Sequence, residues 1–119
     1  MSIFFFGGIC VQMTTFLQDK QLTIALSGEI DHHGARSILC MIADKIDQFL
    51  PMVCILDFKA VTFMDSSGIA IVIHAYRRMT QRSGILKLKR VPAQPRKVLV
   101  AAGMEKLVTI EGREPVYEV

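Results

Sequence analysis

The sequence predicts an α/β fold, a single domain in which helices pack on a mixed, mostly parallel sheet. Segments of strand length alternate along the chain with segments whose apolar residues recur every three or four positions. The run at residues 52–58 is apolar almost throughout, which is typical of a central strand covered on both faces. With 119 residues, of which 51% are hydrophobic, the chain is long enough for one domain with its own core.

The first elements are two antiparallel strands and a helix. Residues 9–17 can form a strand, residues 18–21 are polar and turn-like, and residues 22–27 alternate with period two. Gly28 closes the second strand, and Asp31 is placed to cap the following helix. The apolar stripe of this helix recurs at spacings of three and four: Ala35, Ile38, Leu39, Ile42, Ala43, Ile46, Phe49 and Leu50.

The middle of the chain repeats the alternation of strand and helix. Pro51 ends the first helix, the strand at 52–58 follows, and residues 59–64 are predicted to form a loop. Residues 69–82 begin with β-branched side chains, yet we predict a helix because two serines precede it and can cap its first turn. Its polar residues recur at helical spacing, which leaves one shared apolar face: Ile69, Val72, Ile73, Tyr76 and Met79.

Three short elements complete the predicted order. Residues 85–91 alternate as a half-exposed strand, residues 95–102 form a short helix ended by Gly103, and residues 107–110 can form a last strand. The order is therefore β-β-α-β-α-β-α-β, with four to five strands in one sheet.

We divide the chain into an apolar N-terminal extension (1–12), the domain (13–111) and a C-terminal tail (112–119). The extension is too short to span a bilayer, and it lacks the basic region and cleavage site of a secretory signal. We expect it to pack on the domain or to add a strand, and we expect no membrane span.

Three cysteines indicate a reducing environment. Cys10, Cys40 and Cys54 are widely spaced, odd in number and without a C-x-x-C pair. Each has apolar neighbours, which is typical of a buried small hydrophobe. A cytoplasmic location is the expectation.

Basic residues are concentrated in the second half of the chain. The net charge is +3, and residues 61–119 hold ten basic side chains against five acidic ones. Such an excess could form a surface for nucleic acid or membrane. The charges alternate with apolar residues, however, which favours solvated faces of helices and a strand. We therefore expect no direct binding to nucleic acid.

The candidate site is the stretch Asp65-Ser66-Ser67-Gly68. Ser and Asp side chains can accept hydrogen bonds from the free N–H groups at a helix start, so the two serines can be plain caps. A helix N-terminus also tolerates added negative charge, so one hydroxyl could carry phosphate. Since neighbouring parallel strands end at the same edge of a sheet, Asp31, His32 and His33 are expected nearby.

Other chemistries lack their sequence motifs. Ser66 has no G-x-S-x-G elbow and no histidine placed by sequence as its base, and the chain has no phosphate-binding loop. Adjacent histidines without Cys or carboxylate at ligand spacing are a weak metal signal. We expect no catalysis, no cofactor and no metal. Phe63 and Met64 are expected to anchor the loop in the core.

Three segments together resemble a known family. They are Leu26-Ser27-Gly28-Glu29-Ile30-Asp31-His32-His33, Phe63-Met64-Asp65-Ser66-Ser67-Gly68, and residues 99–107 with the Gly103 turn. This combination resembles the anti-sigma factor antagonist family, the STAS domain, and is most similar to its sporulation branch. The resemblance covers about residues 13–110.

The resemblance implies a partner-switching role in transcription regulation. The unphosphorylated protein would bind an anti-sigma factor that is also a nucleotide-bound serine kinase, and so release the sigma factor. The kinase would phosphorylate Ser66 and binding would weaken, and a serine phosphatase would reset the switch. The implied partner-binding residues are Asp31, His32, His33, Asp65, Ser66, Ser67 and Gly68. An alternative is a STAS binding module of a lipid-transport or stress-signalling complex, in which the serine is not phosphorylated.

Overall fold

The computed structural model describes residues 2–6 and 9–111, with side chains from residue 13 onward. Within these residues a mixed six-stranded sheet follows the order of the chain, antiparallel from β1 to β3 and parallel from β3 to β6. The predicted fold class is confirmed. The elements are β1 (Ser2–Phe6), β2 (Ile9–Gln18), β3 (Gln21–Ile30), α1 (His32–Phe49), β4 (Val53–Met64), α2 (Ser67–Gln81), β5 (Ile85–Lys89), α3 (Ala93–Ala101), a 3-10 turn (Met104–Lys106) and β6 (Thr109–Glu111).

The N-terminal extension supplies a strand in addition to the five that were predicted. β1 pairs antiparallel with β2, from Ser2 opposite Met13 to Phe6 opposite Ile9. The expectation that the extension adds a strand is therefore confirmed. The boundary proposed between residues 12 and 13 falls inside β2, and the proposed tail at 112–119 lies outside the described residues.

A tight turn sets the register of the predicted hairpin. Asp19 and Lys20 connect β2 to β3, and both have positive φ angles, of 52° and 67°. Two consecutive residues with positive φ are typical of the type I′ turn, whose twist matches that of the flanking strands. The carbonyl of Lys20 also accepts the N–H of Met52 at 2.8 Å, which ties the turn to the segment before β4.

α1 buries a stripe close to the predicted one. Its buried residues are Gly34, Ala35, Ile38, Met41, Ile42, Ala43 and Ile46. Leu50 was predicted to belong to this stripe, but it is the C-cap residue in a left-handed conformation and is 49% exposed. The helix has already ended there, so helical spacing no longer determines where the side chain lies.

β4 is longer than the sequence predicted. Residues 59–64 were expected to form a loop, but they continue the strand and pair with β3 up to Ile30 opposite Met64. The register shifts between Ala25 and Ser27 and again between Gly28 and Glu29. These irregularities interrupt the alternation of apolar and polar residues, which is why a periodic pattern does not reveal this part of the strand.

α2 packs against α1 and the sheet through smaller residues than predicted. The buried positions are Gly68, Ile71, Val72, Ala75 and Met79, whereas the predicted Ile69, Ile73 and Tyr76 are half-buried at the edge of the core. Two of the buried residues, Gly68 and Ala75, are small. A prediction from hydrophobic periodicity relies on large apolar side chains, so it does not identify small residues as buried.

The starts of the last helix and the last strand differ from prediction by two residues each. α3 begins at Ala93 rather than at residue 95, and the 3-10 turn Met104–Lys106 precedes a last strand that starts at Thr109 rather than 107. None of the helices in the described residues is both long and apolar enough to cross a membrane.

Of the two cysteines whose side chains the structure describes, one matches the predicted buried environment. Cys54 is fully buried in β4, and burial raises the pKa of its thiol to about 12. Cys40 is exposed on α1, so its predicted burial is wrong. The side chain of Cys10 lies outside the described residues.

A buried carboxylate lies where β5 stops pairing with β4. Asp57 is 5% exposed and accepts hydrogen bonds from Nε of Arg90 at 3.2 Å, from Nη2 of Arg90, and from the N–H of Lys59 at 3.0 Å. Burial raises the pKa of Asp57, but these hydrogen bonds and the charge of Arg90 outweigh it, and the pKa lies below its ordinary value. Arg90 has a positive φ of 53°, so its backbone is strained in the conformation that makes this contact.

Replacing Asp57 by Ala should lower the free energy of unfolding at pH 7 by about 2 kcal/mol, because Arg90 and the Lys59 N–H lose their shared acceptor. Since the folded-state pKa is lowered, this stabilisation is present above the unfolded-state pKa of about 3.9 and is lost as the pH falls through the folded-state value. The difference from the parent should therefore close below about pH 4. Urea unfolding across this range measures it, with Asp44→Ala on the exposed side of α1 as the control. A difference that does not vary with pH would contradict the assigned role.

Candidate functional site

Two loops meet at the carboxyl edge of the sheet. Asp31 follows β3 and Asp65 follows β4, and these two strands are parallel neighbours with Ile30 opposite Met64. The N–H of Asp65 donates a hydrogen bond of 3.0 Å to the carbonyl of Ile30, so the two loops are joined directly through the backbone. The structure thus brings together the two stretches that the sequence placed at one edge.

The first loop is a capped helix start with two exposed histidines. The side chain of Asp31 accepts the N–H groups of His33 at 3.0 Å and Gly34 at 3.1 Å, which confirms the predicted cap. The Gly34 hydrogen bond is the main cause that holds the pKa of Asp31 below its ordinary value, with His33 contributing. The rings of His32 and His33 lie 4.0 Å apart, and both side chains face solvent.

The second loop is capped by Asp65 and not by a serine. Oδ1 of Asp65 accepts the N–H of Ser67 at 2.8 Å, whereas Ser66 makes no side-chain capping bond. The predicted serine cap is therefore wrong. Ser66 already has helical backbone angles, φ −64° and ψ −14°, and this conformation does not turn its hydroxyl towards the free N–H groups of the helix. Ser66 is exposed and Ser67 is half-buried.

Gly68 allows the first turn of α2 to pack on the end of β4. It is buried, and a Cβ atom at this position would overlap Sδ and Cγ of Met64. Met64 is fully buried, as predicted for a core anchor. Phe63 was predicted to be a second anchor, but it is 42% exposed, because strand alternation turns it away from the core.

A glutamine on α3 completes the site, and sequence reasoning missed it. Oε1 of Gln94 accepts the N–H of Met64 and Nε2 donates to the carbonyl of Met64, both at 2.8 Å. The two residues are 30 positions apart, so no local pattern connects them. The flanking prolines at 92 and 95 indicate a helix start and give no sign of a long-range contact.

Most of the site residues are exposed or half-buried, with Gly68 the buried exception. One cavity of about 420 Å³ lies near α3 and β6 and is lined by Arg96, Val100 and residues 105–110. Within the described residues, no group of three His, Cys, Asp or Glu side chains is arranged to hold a metal ion. The arrangement instead presents exposed polar side chains, among them that of Ser66, which makes no capping bond.

Residues 12–117 match the model of the STAS domain family. Two curated relatives are both anti-sigma F factor antagonists. The one from Paenibacillus polymyxa is 28% identical over 93 residues, which are 78% of this chain and 80% of the relative. The one from Lysinibacillus sphaericus is 31% identical over 85 residues, which are 71% of this chain and 73% of the relative.

The fold is similar to that of the anti-sigma factor antagonist SpoIIAA, solved in two forms. The unphosphorylated form has a TM-score of 0.72 at 27% identity, covering 87% of this chain and 89% of that chain. The phosphorylated form, described as the Bacillus cell fate determinant SpoIIAA, has a TM-score of 0.65 at 27% identity, covering 87% of this chain and 92% of that chain.

The assignment of the helix cap can be tested by two substitutions. Asp65→Ala should lower the free energy of unfolding by about 1 kcal/mol, because the Ser67 N–H loses its acceptor. Ser66→Ala should change it by less than about 0.5 kcal/mol, because no capping bond is removed. Chemical denaturation of both variants measures the two values. The opposite order of effects would show that the serine, and not the aspartate, caps α2.

Proposed function

Because this chain belongs to the STAS domain family and its curated relatives are anti-sigma F factor antagonists, we propose that it is an anti-sigma factor antagonist with its phosphoacceptor at Ser66. The observation that most supports the proposal is the loop geometry. Ser66 is exposed and is not used as a cap, and it lies on a loop joined by a backbone hydrogen bond to the loop of Asp31.

We define the docking face as the exposed surface at these two loops. Six neighbours were predicted to accompany Ser66 there, and we add Phe63 because it is an exposed aromatic side chain at the end of β4. Partly exposed aromatic residues next to polar groups are frequent anchors in protein interfaces. The docking face comprises Asp31, His32, His33, Phe63, Asp65, Ser66 and Ser67, together with the buried Gly68, which lets α2 pack on the end of β4 beneath them.

In the proposed cycle the unphosphorylated docking face binds an anti-sigma factor that is also a nucleotide-bound serine kinase, and the sigma factor is released. The kinase then transfers phosphate to Ser66, and a serine phosphatase removes it. The chain acts by binding and is a substrate of both enzymes, and it carries out no reaction of its own. We place this partner switching in the cytoplasm and in the sporulation branch of the family.

Phosphate on Ser66 would change the surface more than the fold. It adds a charge of about −1.5 to −2 next to the carboxylate of Asp65. Two N–H groups of the first turn are already used, since that of Ser67 donates to Asp65 Oδ1 and that of Gly68 to the Asp65 carbonyl. The new charge therefore stays largely uncompensated on an exposed residue, where an approaching partner must desolvate it or oppose it. The core beneath, at Met64 and Gly68, has no contact with it that would require rearrangement.

Incubation with ATP and the anti-sigma factor kinase should add one phosphate to the parent and to Ser67→Ala, and none to Ser66→Ala, as followed by mass spectrometry. Ser66→Asp should bind the anti-sigma factor at least about tenfold more weakly than the parent, since it places a charge at the same point. Ser66→Ala should bind as the parent does. Undiminished binding by Ser66→Asp would refute the switch. If neither serine is modified, the alternative of an unphosphorylated STAS binding module is favoured.

Phe63→Ala should weaken binding of the anti-sigma factor by about 1–3 kcal/mol, which is typical of an aromatic anchor in an interface. Phe16→Ala is a matched control, because Phe16 is more exposed, at 60%, but lies opposite Thr23 near the other end of β3. It should leave the affinity unchanged. Isothermal titration of both variants decides the matter, and equal losses would remove Phe63 from the docking face.

A further inference from the structure

β4 lacks a strand neighbour on one side as it approaches Ser66. Among the strands that the structure describes, β5 pairs with β4 only from Val53 to Asp57, whereas β3 stays beside β4 as far as Met64. At Met64 the side chain of Gln94 takes the position of a neighbouring strand. It accepts from the N–H and donates to the carbonyl of the same residue, both at 2.8 Å, and so satisfies the backbone groups that β5 does not reach.

The donor and acceptor ends of the Gln94 amide are fixed by this contact. Met64 presents one N–H, which can only donate, and one carbonyl, which can only accept. The amide therefore fits in a single orientation, and a side chain with two acceptors cannot replace it without loss. Both bonded residues are largely shielded from solvent, since Met64 is fully buried and Gln94 is half-buried.

Gln94 extends from a rigid part of α3. It lies in the first turn of that helix between Pro92 and Pro95, whose rings fix their own φ angles. Pro95 and Leu99 are buried, so this turn is anchored in the core. The N–H of Arg96 closes it by donating to the carbonyl of Pro92 at 2.9 Å.

The backbone before Ser66 is thus held from two sides. The Ile30 carbonyl accepts the N–H of Asp65 from the side of β3, and Gln94 holds Met64 from the side of α3. Asp65 in turn bonds the N–H of Ser67. Because only Asp65 separates Met64 from Ser66, a displacement at Met64 moves the hydroxyl relative to the Asp31 loop.

We propose that Gln94 is a positioning residue for Ser66. Through it, α3 fixes the position in which the Ser66 hydroxyl is presented to the anti-sigma factor kinase. The inference rests on the proposed function of Ser66 as the phosphoacceptor. Gln94 does not touch the reacting hydroxyl and acts through Met64 and Asp65. α3 thereby becomes a third element that controls the docking face, beside the starts of α1 and α2.

Gln94→Glu tests the proposal with a nearly isosteric change. An ionised carboxylate still accepts the N–H of Met64, but it cannot donate and instead sets an oxygen against the Met64 carbonyl. The protonated acid regains a donor. Phosphorylation of Ser66 should therefore be about tenfold slower than in the parent at pH 8, and the ratio of the two rates should return towards one as the new carboxyl group is protonated. The ratio is taken at each pH with the same kinase, so that the pH dependence of the kinase cancels.

Gln48→Glu, at an exposed position of α1, is the matched control because it makes the same change of charge away from Met64. Its rate ratio should stay near one throughout. For Gln94→Glu, the midpoint of recovery should coincide with the titration of the new carboxyl group followed by NMR. Rates equal to those of the parent at every pH overturn the proposal. A deficit that does not change with pH also overturns it, since that outcome indicates a general loss of structure.

Amide hydrogen exchange distinguishes failure of this proposal from failure of the proposed function. On the chain alone at pH 8, repulsion between the new carboxylate and the Met64 carbonyl should separate the two residues and so weaken the N–H bond as well. The protection of the Met64 amide should therefore be about tenfold lower in Gln94→Glu than in the parent. If the kinase modifies neither protein, the proposed function fails. Unchanged protection at Met64 would then also show that Gln94 does not hold the Met64 backbone. If the kinase modifies both proteins equally while protection falls, Gln94 holds the backbone without positioning Ser66, and this proposal alone is overturned.

Discussion

The parallel pairing of β3 with β4 as far as Ile30 and Met64 is the constraint on which the candidate site depends. If residues 59–64 formed a flexible loop, the Asp65 turn could take many orientations relative to Asp31. Ordering those residues would cost about 1–2 kcal/mol per residue in backbone entropy. The strand removes this freedom through its hydrogen bonds and through burial of Val61 and Met64. The Asp65 N–H bond to the Ile30 carbonyl then extends the pairing into the loops themselves. The relative position of the two loops is therefore a property of the sheet.

Sequence patterns were sufficient for β3 and, apart from its last residues, for α1. The period-two alternation of β3 and the helical spacing in α1 both correspond to buried rows in the structure, because in each the periodic side chains face the same core. The cap at Asp31 was also predictable, since the residue, its φ and ψ preference and the following helix are local to one another. The adjacency of the Asp31 and Asp65 loops followed from the general geometry of parallel sheets.

Contacts between distant parts of the chain were not predictable in the same way. Gln94 bonds a residue 30 positions away and Arg90 bonds Asp57 across 33 positions, and neither contact leaves a periodic trace. The end of β4 was missed because two register shifts interrupt its alternation. The wrong choice of cap had a local cause. Aspartate and serine adjoin each other there, and the backbone angles of Ser66, which composition does not determine, give the role to Asp65.

The strands of the described residues are arranged across the sheet in the order in which they occur in the chain. Every strand therefore pairs with the one synthesised immediately before it, and no strand must wait for a later segment to be inserted between two existing neighbours. Each new parallel strand needs only the crossover that precedes it, α1 before β4 and α2 before β5. During synthesis on the ribosome, the sheet of this protein can grow in one direction from its N-terminal edge, and the hydrogen bonds of β3 and β4 that hold the Ser66 loop can form before β5, α3 and β6 have emerged.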